Sequence, residues 1–199
     1  MTQLIGITGG IGSGKSVVSR ILRLQGHCVY DCDHTAKILM EQNYSLKQAI
    51  AQRLGNECIT SDGMLNRAEI ARHVFSDGDK LRWLNSMVHA IVVDDVRLWR
   101  ESSGSQNVFV ESAILNSSGL SKICDEIWLV DAPVDVRIER ATRRDYSSMG
   151  DVKKRVNAQK DEYSCFPTHI PLRVIRNYGD ESLLEQINAL LSPDDGIRD

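Results

Sequence analysis

The chain has 199 residues, of which 42% are hydrophobic and 26% are charged, and its formal net charge is −3. This length and composition are typical of one globular domain with room for an insertion. The small negative charge gives no basic field for nucleic acid, and no apolar run is long enough to cross a membrane.

The cysteines and the start of the chain favour a cytoplasmic protein. No signal or transit peptide precedes the first predicted strand. The cysteine count is odd, the residues are scattered, and no C-x-x-C occurs, so we expect reduced thiols and no disulfide frame or zinc site. The five are Cys28, Cys32, Cys58, Cys124 and Cys165.

A short apolar run near the amino end predicts a buried strand followed by a phosphate-binding loop. The run is Leu4–Thr8, and apolar residues at helical spacing follow the loop as far as Gly26. The loop fits G-x-x-x-x-G-K-[ST]. A bare match could be a glycine-rich turn with a surface lysine, but these flanks favour a nucleoside triphosphate site. Its residues are Gly9, Gly10, Ile11, Gly12, Ser13, Gly14, Lys15 and Ser16.

The residue types of this loop predict its chemistry. Glycines allow the backbone to turn its N–H groups around a phosphate, and the N-terminus of the following helix adds a partial positive charge. We predict that Lys15 reaches the β- and γ-phosphates and that the Ser16 hydroxyl binds Mg²⁺.

Two acidic residues, Asp31 and Asp33, follow the second predicted strand, His27–Tyr30. The carboxyl ends of parallel strands line the ligand crevice, so either carboxylate could take a proton from an attacking hydroxyl or support magnesium. The alternative is that either residue caps the helix that begins near His34. We predict that Asp33, which lies further past the strand, is the base and that Asp31 supports it.

Residues 34–101 are predicted to be helical and to form an insertion that holds the second substrate. A capping box at Asn66 and Glu69 opens one of its helices, and the longest helix opens near Asp77. Most of the apolar residues are expected in the core of the insertion. Arg67 and His89 are candidates for the crevice, with an ordinary surface position as the alternative for each.

Three further strands, at 108–111, 126–131 and 172–175, complete a predicted sheet of five. Between the last two strands, two basic helices separated by a polar loop at 145–151 are typical of a lid. Arginine guanidinium groups suit bidentate phosphate contacts, although a solvated basic face is the alternative. Asn177–Gly179 then turns into the last helix.

With these motifs the chain resembles the dephospho-coenzyme A kinase family, a P-loop group similar to the nucleoside monophosphate kinases, from Ile7 to about Leu190. The phosphate loop is shared with many families, whereas the D-x-D at Asp31–Asp33 and the lid are more specific. The closing N-x-G at Asn177–Gly179 resembles the adenine-side turn of these kinases. The matching residues of the insertion and lid are Leu65, Arg67, Phe75, Leu84, His89, Arg140, Arg144, Arg155 and Gln159.

The chain departs from the family pattern in three places. Ala90 replaces a proline and is expected simply to continue its helix. Ala113–Ser117 replaces Pro-Leu-Leu-x-Glu, which removes a carboxylate near the acceptor, and Glu111 could stand in only if the strand register shifts. Arg137 replaces the lid glutamine.

The resemblance implies ATP-dependent, Mg²⁺-assisted phosphorylation of the ribose 3′-hydroxyl of dephospho-coenzyme A, the last step of coenzyme A synthesis. It implies that Arg140, Asn177 and Gly179 bind ATP together with the phosphate loop. Catalysis would use Asp33 and Lys15, with Arg140 and Arg144 closing over the transferred group. It leaves the oligomeric state open. The implied acceptor-binding residues are Asp31, Asp33, Arg67, Phe75, Leu84 and His89.

We therefore predict an α/β fold, a five-stranded parallel P-loop kinase core with a helical substrate-binding insertion and a lid. The core comprises 1–33 and 102–199, the lid lies at about 137–162, and the acceptor-binding insertion is 34–101. One alternative is a kinase for another acceptor, such as a nucleoside monophosphate or shikimate. Another is a GTP-hydrolysing switch, although the N-K-x-D element typical of guanine-specific switches does not occur in the sequence.

Overall fold

The computed structural model describes residues 2–146, 148–163 and 166–192. Cys165, and Ser147 of the predicted lid loop, lie outside the described residues. The strands are β1 Gln3–Thr8, β2 Cys28–Asp31, β3 Asn107–Glu111, β4 Glu126–Asp131 and β5 Leu172–Arg176. The α-helices are α1 Lys15–Leu24, α2 Cys32–Gln42, α3 Tyr44–Leu54, α4 Arg67–Phe75, α5 Gly78–Ser102, α6 Val134–Asp145, α7 Met149–Ala158 and α8 Leu183–Leu191. Short 3₁₀ turns lie at Asn56–Cys58, Leu120–Ile123 and Lys160–Tyr163.

The chain divides into two compact units. One comprises Met1–Tyr30 with Ser103–Asp199, and the other is Asp31–Ser102. The first unit contains the central strands with α1, α6, α7 and α8. The second contains the helices α2 to α5.

The strands of the described residues form one parallel sheet in the order β2-β3-β1-β4-β5. At its centre, Gln3 of β1 pairs with Asn107 of β3, and Ile5 of β1 pairs with Glu126 of β4. Consecutive residues of β1 are buried, so both faces of this strand are covered, as expected for a parallel strand with a continuous apolar run. The predicted α/β fold with a five-stranded parallel sheet is confirmed.

The core of the first unit joins the sheet to α1 and α8. Phe109 of β3 and Trp128 of β4 are fully buried, and their ring centroids lie 5.2 Å apart. Apolar residues at helical spacing on α1 and α8 pack against them, because one face of each helix is apolar. The buried members of this core are Ile5, Ile7, Val18, Leu22, Phe109, Trp128, Val130, Ile175 and Ile187.

The second unit has its own apolar core and well-capped helices. The Asn43 side chain accepts a hydrogen bond from the Leu46 amide at the start of α3, and the Asn66 side chain accepts one from the Glu69 amide at the start of α4. The second cap confirms the helix start that the sequence predicts at Asn66. The buried core residues are Leu46, Ile50, Leu54, Cys58, Leu65, Ile70, Val74 and Leu84.

Helix α5 is the longest element, with 25 residues. It runs through Ala90 without interruption, which confirms that alanine continues the helix where the family has proline. Within the described residues, no helix is both long and apolar enough to cross a membrane.

The lid differs from its prediction in one respect. The sequence predicts a polar loop over 145–151, but α7 already begins at Met149. The reason is a helix cap, because the Ser148 hydroxyl accepts a hydrogen bond from the Asp151 amide at 3.1 Å. The prediction placed the acidic residue Asp151 in the loop, whereas it lies in the first turn of the helix.

The two faces of β5 provide a test of this packing. Ile175 is fully buried in the sheet core, whereas its neighbour Val174 is 51% exposed. We expect Ile175→Ala to lower the free energy of unfolding by about 2–5 kcal/mol, because it leaves a cavity, and Val174→Ala to change it by less than about 0.5 kcal/mol. Urea unfolding of both variants measures this difference, and equal losses would contradict the described face assignment.

Candidate active site

The glycine loop between β1 and α1 takes a shape that only glycine adopts easily. Gly12 and Gly14 have φ angles of +79° and +102°, in the left-handed region. A Cβ at Gly12 would lie 2.1 Å from the carbonyl oxygen of Arg137, and a Cβ at Gly14 would lie 2.0 Å from Nδ2 of Asn177. Glycine is therefore required both by the backbone angle and by the close approach of neighbouring segments.

Some backbone N–H groups of the loop are already bonded, and others remain open to a ligand. The Ser13 amide donates to the Gly10 carbonyl, which closes the first turn of the loop. Among the described residues, the amides of Gly12, Gly14 and Ser16 have no hydrogen-bond acceptor. Because these donors lie at the N-terminus of α1, they are suited to an anion such as a phosphate.

The Lys15 ammonium lies over the first residues of the loop. Its Nζ donates to the Gly9 carbonyl oxygen at 2.7 Å and lies 3.5 Å from that of Gly10. These are weaker partners than a phosphate, because a phosphate oxygen carries a full negative charge. The Ser16 side chain, in the first turn of α1, is exposed.

Tyr163, the last residue of the turn that follows α7, binds the first residue of the glycine loop. Its hydroxyl shares one proton between the carbonyl oxygens of Gly9, at 2.9 Å, and Ala113, at 3.0 Å. Burial raises the pKa of Tyr163 well above its usual range, so the phenol stays neutral and remains a donor. Tyr163 thus ties the glycine loop to the segment that follows β3.

Gln159, at the end of α7, bonds the middle of the loop. The Ile11 amide donates to Oε1 of Gln159 at 2.9 Å. The Ile11 side chain is buried against both lid helices, so hydrophobic contact and a hydrogen bond act at the same position. The cluster consists of Ile11, Ile138, Ala141, Val152 and Val156.

Asn177, which follows β5, bonds the far end of the loop. Its Nδ2 donates to the Ser13 carbonyl oxygen at 2.7 Å, and its backbone amide donates to the Asp131 carbonyl oxygen at 2.8 Å. The carbonyl oxygen of Asn177 accepts from Nη1 of Arg140 at 3.0 Å. Two predicted nucleotide residues, Asn177 and Arg140, therefore meet beside the loop.

Arg144 takes part in an ion network between the lid helices. Asp145 accepts hydrogen bonds from Nε of Arg144 at 2.7 Å and from Nη1 of Arg155 at 2.9 Å. These hydrogen bonds, with Arg144 contributing most, hold the pKa of the Asp145 carboxyl at about 2. Asp145 thus connects α6 to α7.

The segment after β3 is bound by a carboxylate that the sequence analysis did not identify, that of Glu162 in the turn Lys160–Tyr163. Glu162 is 8% exposed, and its carboxylate accepts hydrogen bonds from the amides of Asn116 and Ser117. The register of β3 is regular, with Glu111 opposite Ile7, so the register shift that would let Glu111 stand in does not occur. Glu162 lies 45 residues from Ser117 in sequence, and no local pattern pointed to it.

In the second unit, the two acids of the D-x-D differ in their local role. Asp31 caps α2, because its Oδ1 accepts a hydrogen bond from the His34 amide at 2.9 Å. Asp33 lies in the first turn of the same helix, and its side chain is exposed. The capping alternative therefore holds for Asp31, while Asp33 presents its carboxylate to the surface of its own unit.

The other four predicted acceptor residues lie on two helices of the second unit, α4 and α5. Arg67 is the exposed first residue of α4, and its Nη2 donates to the Lys37 carbonyl oxygen at 3.4 Å. Phe75, the last residue of α4, is 83% exposed. His89 is half-buried in the middle of α5. Leu84 is 7% exposed and packs in the core of the unit.

The donors for a metal ion are limited. Across residues 2–146, 148–163 and 166–192, no group of three or more His, Cys, Asp or Glu side chains could form a metal centre. Mg²⁺ does not require such a cage, because it keeps several waters and is commonly bound by one or two protein groups and the phosphates of a substrate. The exposed Ser16 hydroxyl at the loop is compatible with that kind of binding.

Comparison of the sequence with a family model and with known relatives gives the same family each time. A family model described as dephospho-CoA kinase matches residues 3–165. A dephospho-CoA kinase of Porphyromonas gingivalis is 44% identical over 80% of this chain and 79% of its own length. A dephospho-CoA kinase of Bacteroides fragilis is 35% identical over 96% of this chain and 93% of its own.

Solved structures resemble the fold. A crystal structure from Thermus thermophilus superposes with a TM-score of 0.77 at 31% identity, covering 96% of this chain and 99% of the other. A dephospho-CoA kinase from Campylobacter jejuni has a TM-score of 0.66 at 16% identity and covers 96% of both chains.

The packing around Gly12 predicts a large difference between two glycine substitutions. Gly12→Ala adds a Cβ that would overlap the backbone of α6, whereas Gly26→Ala, at a similar φ of +89°, meets nothing within 4 Å. Both substitutions introduce left-handed backbone strain, but only Gly12→Ala must also displace α6. We therefore expect Gly12→Ala to lower the free energy of unfolding by about 1–3 kcal/mol more than Gly26→Ala does. Denaturant unfolding of the two variants measures the difference, and equal losses would contradict the contact.

The ion network of Asp145 predicts a pH dependence of lid stability. A carboxyl whose pKa is lowered on folding adds stability that is complete above its unfolded pKa of about 4 and is lost as the pH falls through its folded pKa. Asp145→Asn should therefore lower the melting temperature at pH 6, and the difference from the wild type should shrink towards pH 2. Glu139→Gln is the control, because its pair with Arg143 is largely exposed and should contribute little. A difference from wild type that does not change with pH would rule out this role.

Proposed function

Because the chain belongs to the dephospho-CoA kinase family, whose members catalyse the last step of coenzyme A biosynthesis, we propose that it phosphorylates the ribose 3′-hydroxyl of dephospho-CoA with ATP. The chain is a kinase of this family. The observation that carries the proposal is the glycine loop, whose Gly12, Gly14 and Ser16 amides have no acceptor in the described residues. Such a set of donors is suited to a triphosphate.

We assign ATP binding to the loop Gly9–Ser16 together with Arg140, Asn177 and Gly179. Lys15 would leave the Gly9 carbonyl and contact the β- and γ-phosphates, where its positive charge stabilises the transferred group. The contact between Arg140 and Asn177 supports a nucleotide-binding edge beside the loop. Mg²⁺, held by Ser16 and the phosphates, would neutralise charge on the phosphate oxygens.

We propose that Asp33 takes the proton of the acceptor hydroxyl. The ribose oxygen attacks the γ-phosphorus, the bond to the β–γ bridging oxygen breaks, and ADP leaves. Asp33 is favoured over Asp31 because an oxygen of Asp31 is already used in capping α2, whereas Asp33 is exposed and does not cap the helix. Asp31 would then fix the start of the helix that carries Asp33.

We propose that Arg140 and Arg144 close over the transferred phosphoryl group and help to exclude water. Arg144 is bound to Asp145. On closure, its guanidinium would either leave this carboxylate for the phosphate or bind both at once. Arg67, Phe75 and His89 would contact the acceptor. Leu84 packs in the core and would act indirectly, by supporting the helices that carry them.

The domain assignment and the location are also proposals. The unit that contains the glycine loop would bind the nucleotide, and the helical unit 31–102 would bind the acceptor. Cys28, Cys32, Cys58 and Cys124 are free thiols, which favours a reducing compartment such as the cytoplasm.

Replacing Lys15 tests the nucleotide site. Lys15→Ala should lower the turnover of ATP and dephospho-CoA by at least about 100-fold, since a charge on the transferred group is lost. Lys122→Ala, at an exposed position, should retain normal turnover. A coupled assay of ADP formation measures both. A folded Lys15→Ala protein with near-normal turnover would contradict the assignment.

The two acids of the D-x-D can be separated by matched substitutions. Asp33→Asn should strongly lower kcat and change the KM values for ATP and dephospho-CoA little, because proton transfer occurs only in the transition state. Asp31→Asn should have a small effect, since asparagine is also a good helix cap. Steady-state kinetics of both variants decide the assignment, and a larger loss at Asp31 would reverse it.

A further inference from the structure

Arg137 is in direct contact with the glycine loop, at a position where the family resemblance leads us to expect glutamine. A Cβ built on Gly10 would lie 1.5 Å from Nη1 of Arg137 and 2.6 Å from its Cζ. Gly10 has no left-handed φ angle, so this glycine is explained by the guanidinium and not by backbone strain. The side chain of Arg137 occupies the space that a larger residue at position 10 would need.

The guanidinium of Arg137 has no ion-pair partner within the described chain, although Asp131 lines the same cavity. Its Nε is buried and has no hydrogen-bond partner, and no carboxylate of the described residues forms an ion pair with it. The Tyr163 hydroxyl, whose pKa is raised by burial and by the nearby Glu162 carboxylate, stays neutral and does not neutralise it. A partly buried guanidinium without an anion is costly, so a bound anion would be stabilised here.

The anion is most simply a phosphate of the nucleotide. Lys15, whose ammonium is expected at the β- and γ-phosphates, already contacts the Gly9 carbonyl and lies near that of Gly10. Arg137 contacts Gly10 and is therefore at the same end of the loop. A cavity of about 400 Å³ borders this guanidinium and gives the side chain room to move; its lining includes Gly10, Val130, Arg137, Gln159, Tyr163 and Tyr178.

We propose that Arg137 is a further phosphate-binding residue, which donates hydrogen bonds to the terminal phosphate of ATP. The inference deepens the proposed function and rests on it, because it concerns the nucleotide of the same loop. A guanidinium donates through several N–H groups and carries a charge, whereas glutamine at this position offers a neutral amide. This chain therefore has one more cation at the phosphate loop than the family pattern predicts.

The test is the affinity of three nucleotides without any acceptor. Calorimetric titration with ATP, ADP and AMP, all with Mg²⁺, is carried out on the wild type and on Arg137→Gln. We expect the substitution to weaken ATP about tenfold or more, ADP less, and AMP little, because a charge-assisted hydrogen bond to the terminal phosphate is lost. An equal loss for all three nucleotides, or no loss for ATP, would overturn the proposal in favour of a packing role.

Matched variants control for folding and for charge. Arg143→Gln changes the net charge of the same helix equally, but Arg143 is exposed and paired with Glu139, so all three affinities should stay unchanged. An ATP-selective loss in Arg143→Gln as large as that in Arg137→Gln would overturn the proposal. Thermal unfolding without nucleotide checks each fold, and Arg137→Met, which keeps an unbranched stem, replaces the glutamine variant if that variant does not fold.

The outcome separates this inference from the proposed function. A wild type that binds ATP but does not phosphorylate dephospho-CoA would contradict the proposed function alone. A wild type that does phosphorylate it, with equal nucleotide losses in Arg137→Gln, would contradict the role of Arg137 alone.

Discussion

A loop that leaves several backbone amides unpaired is not stable by itself. The need to hold such a loop in place explains much of the structure of the first unit. The loop can present the amides of Gly12, Gly14 and Ser16 to a ligand only if other groups fix its carbonyls and side chains. Unpaired backbone N–H and C=O groups tend to form hydrogen bonds with one another or with water, which would change the shape of the loop unless the surrounding structure fixes it. The loop is held by three segments that are distant in sequence: the turn at Tyr163, the end of α7 at Gln159, and the turn at Asn177.

These contacts connect helices α6 and α7, which we propose as the lid, to the glycine loop. The Ile11 side chain packs between α6 and α7, so the hydrophobic core of the lid includes a residue of the loop itself. Most arginines of these two helices are exposed, and Arg143, Arg144 and Arg155 form ion pairs with carboxylates of the same helix pair. A ligand that binds the loop would therefore also act on the packing of α6 and α7, and closure of the proposed lid could follow nucleotide binding by this route.

The sequence predicted those features whose causes are local. The apolar run of β1, the asparagine cap of α4, and the continuation of α5 through Ala90 follow from a few neighbouring residues. The sequence predicts the start of α7 too late, because Ser148 fits a polar loop as well as the helix cap that it forms. The roles of Glu162 and Tyr163 were missed, since each depends on a partner at least 45 residues away in sequence. Arg137 was noticed only as a departure from a pattern, and its contact with Gly10 required the fold.

The most direct measurement is the choice of phosphoryl acceptor by the purified chain. γ-Labelled ATP with Mg²⁺ is offered with dephospho-CoA, AMP and shikimate together at equal concentrations, and the labelled products are separated and identified. The account predicts that the label appears in coenzyme A, on the ribose 3′-oxygen. Label found mainly in ADP formed from AMP, in a phosphorylated shikimate or in free phosphate would contradict it.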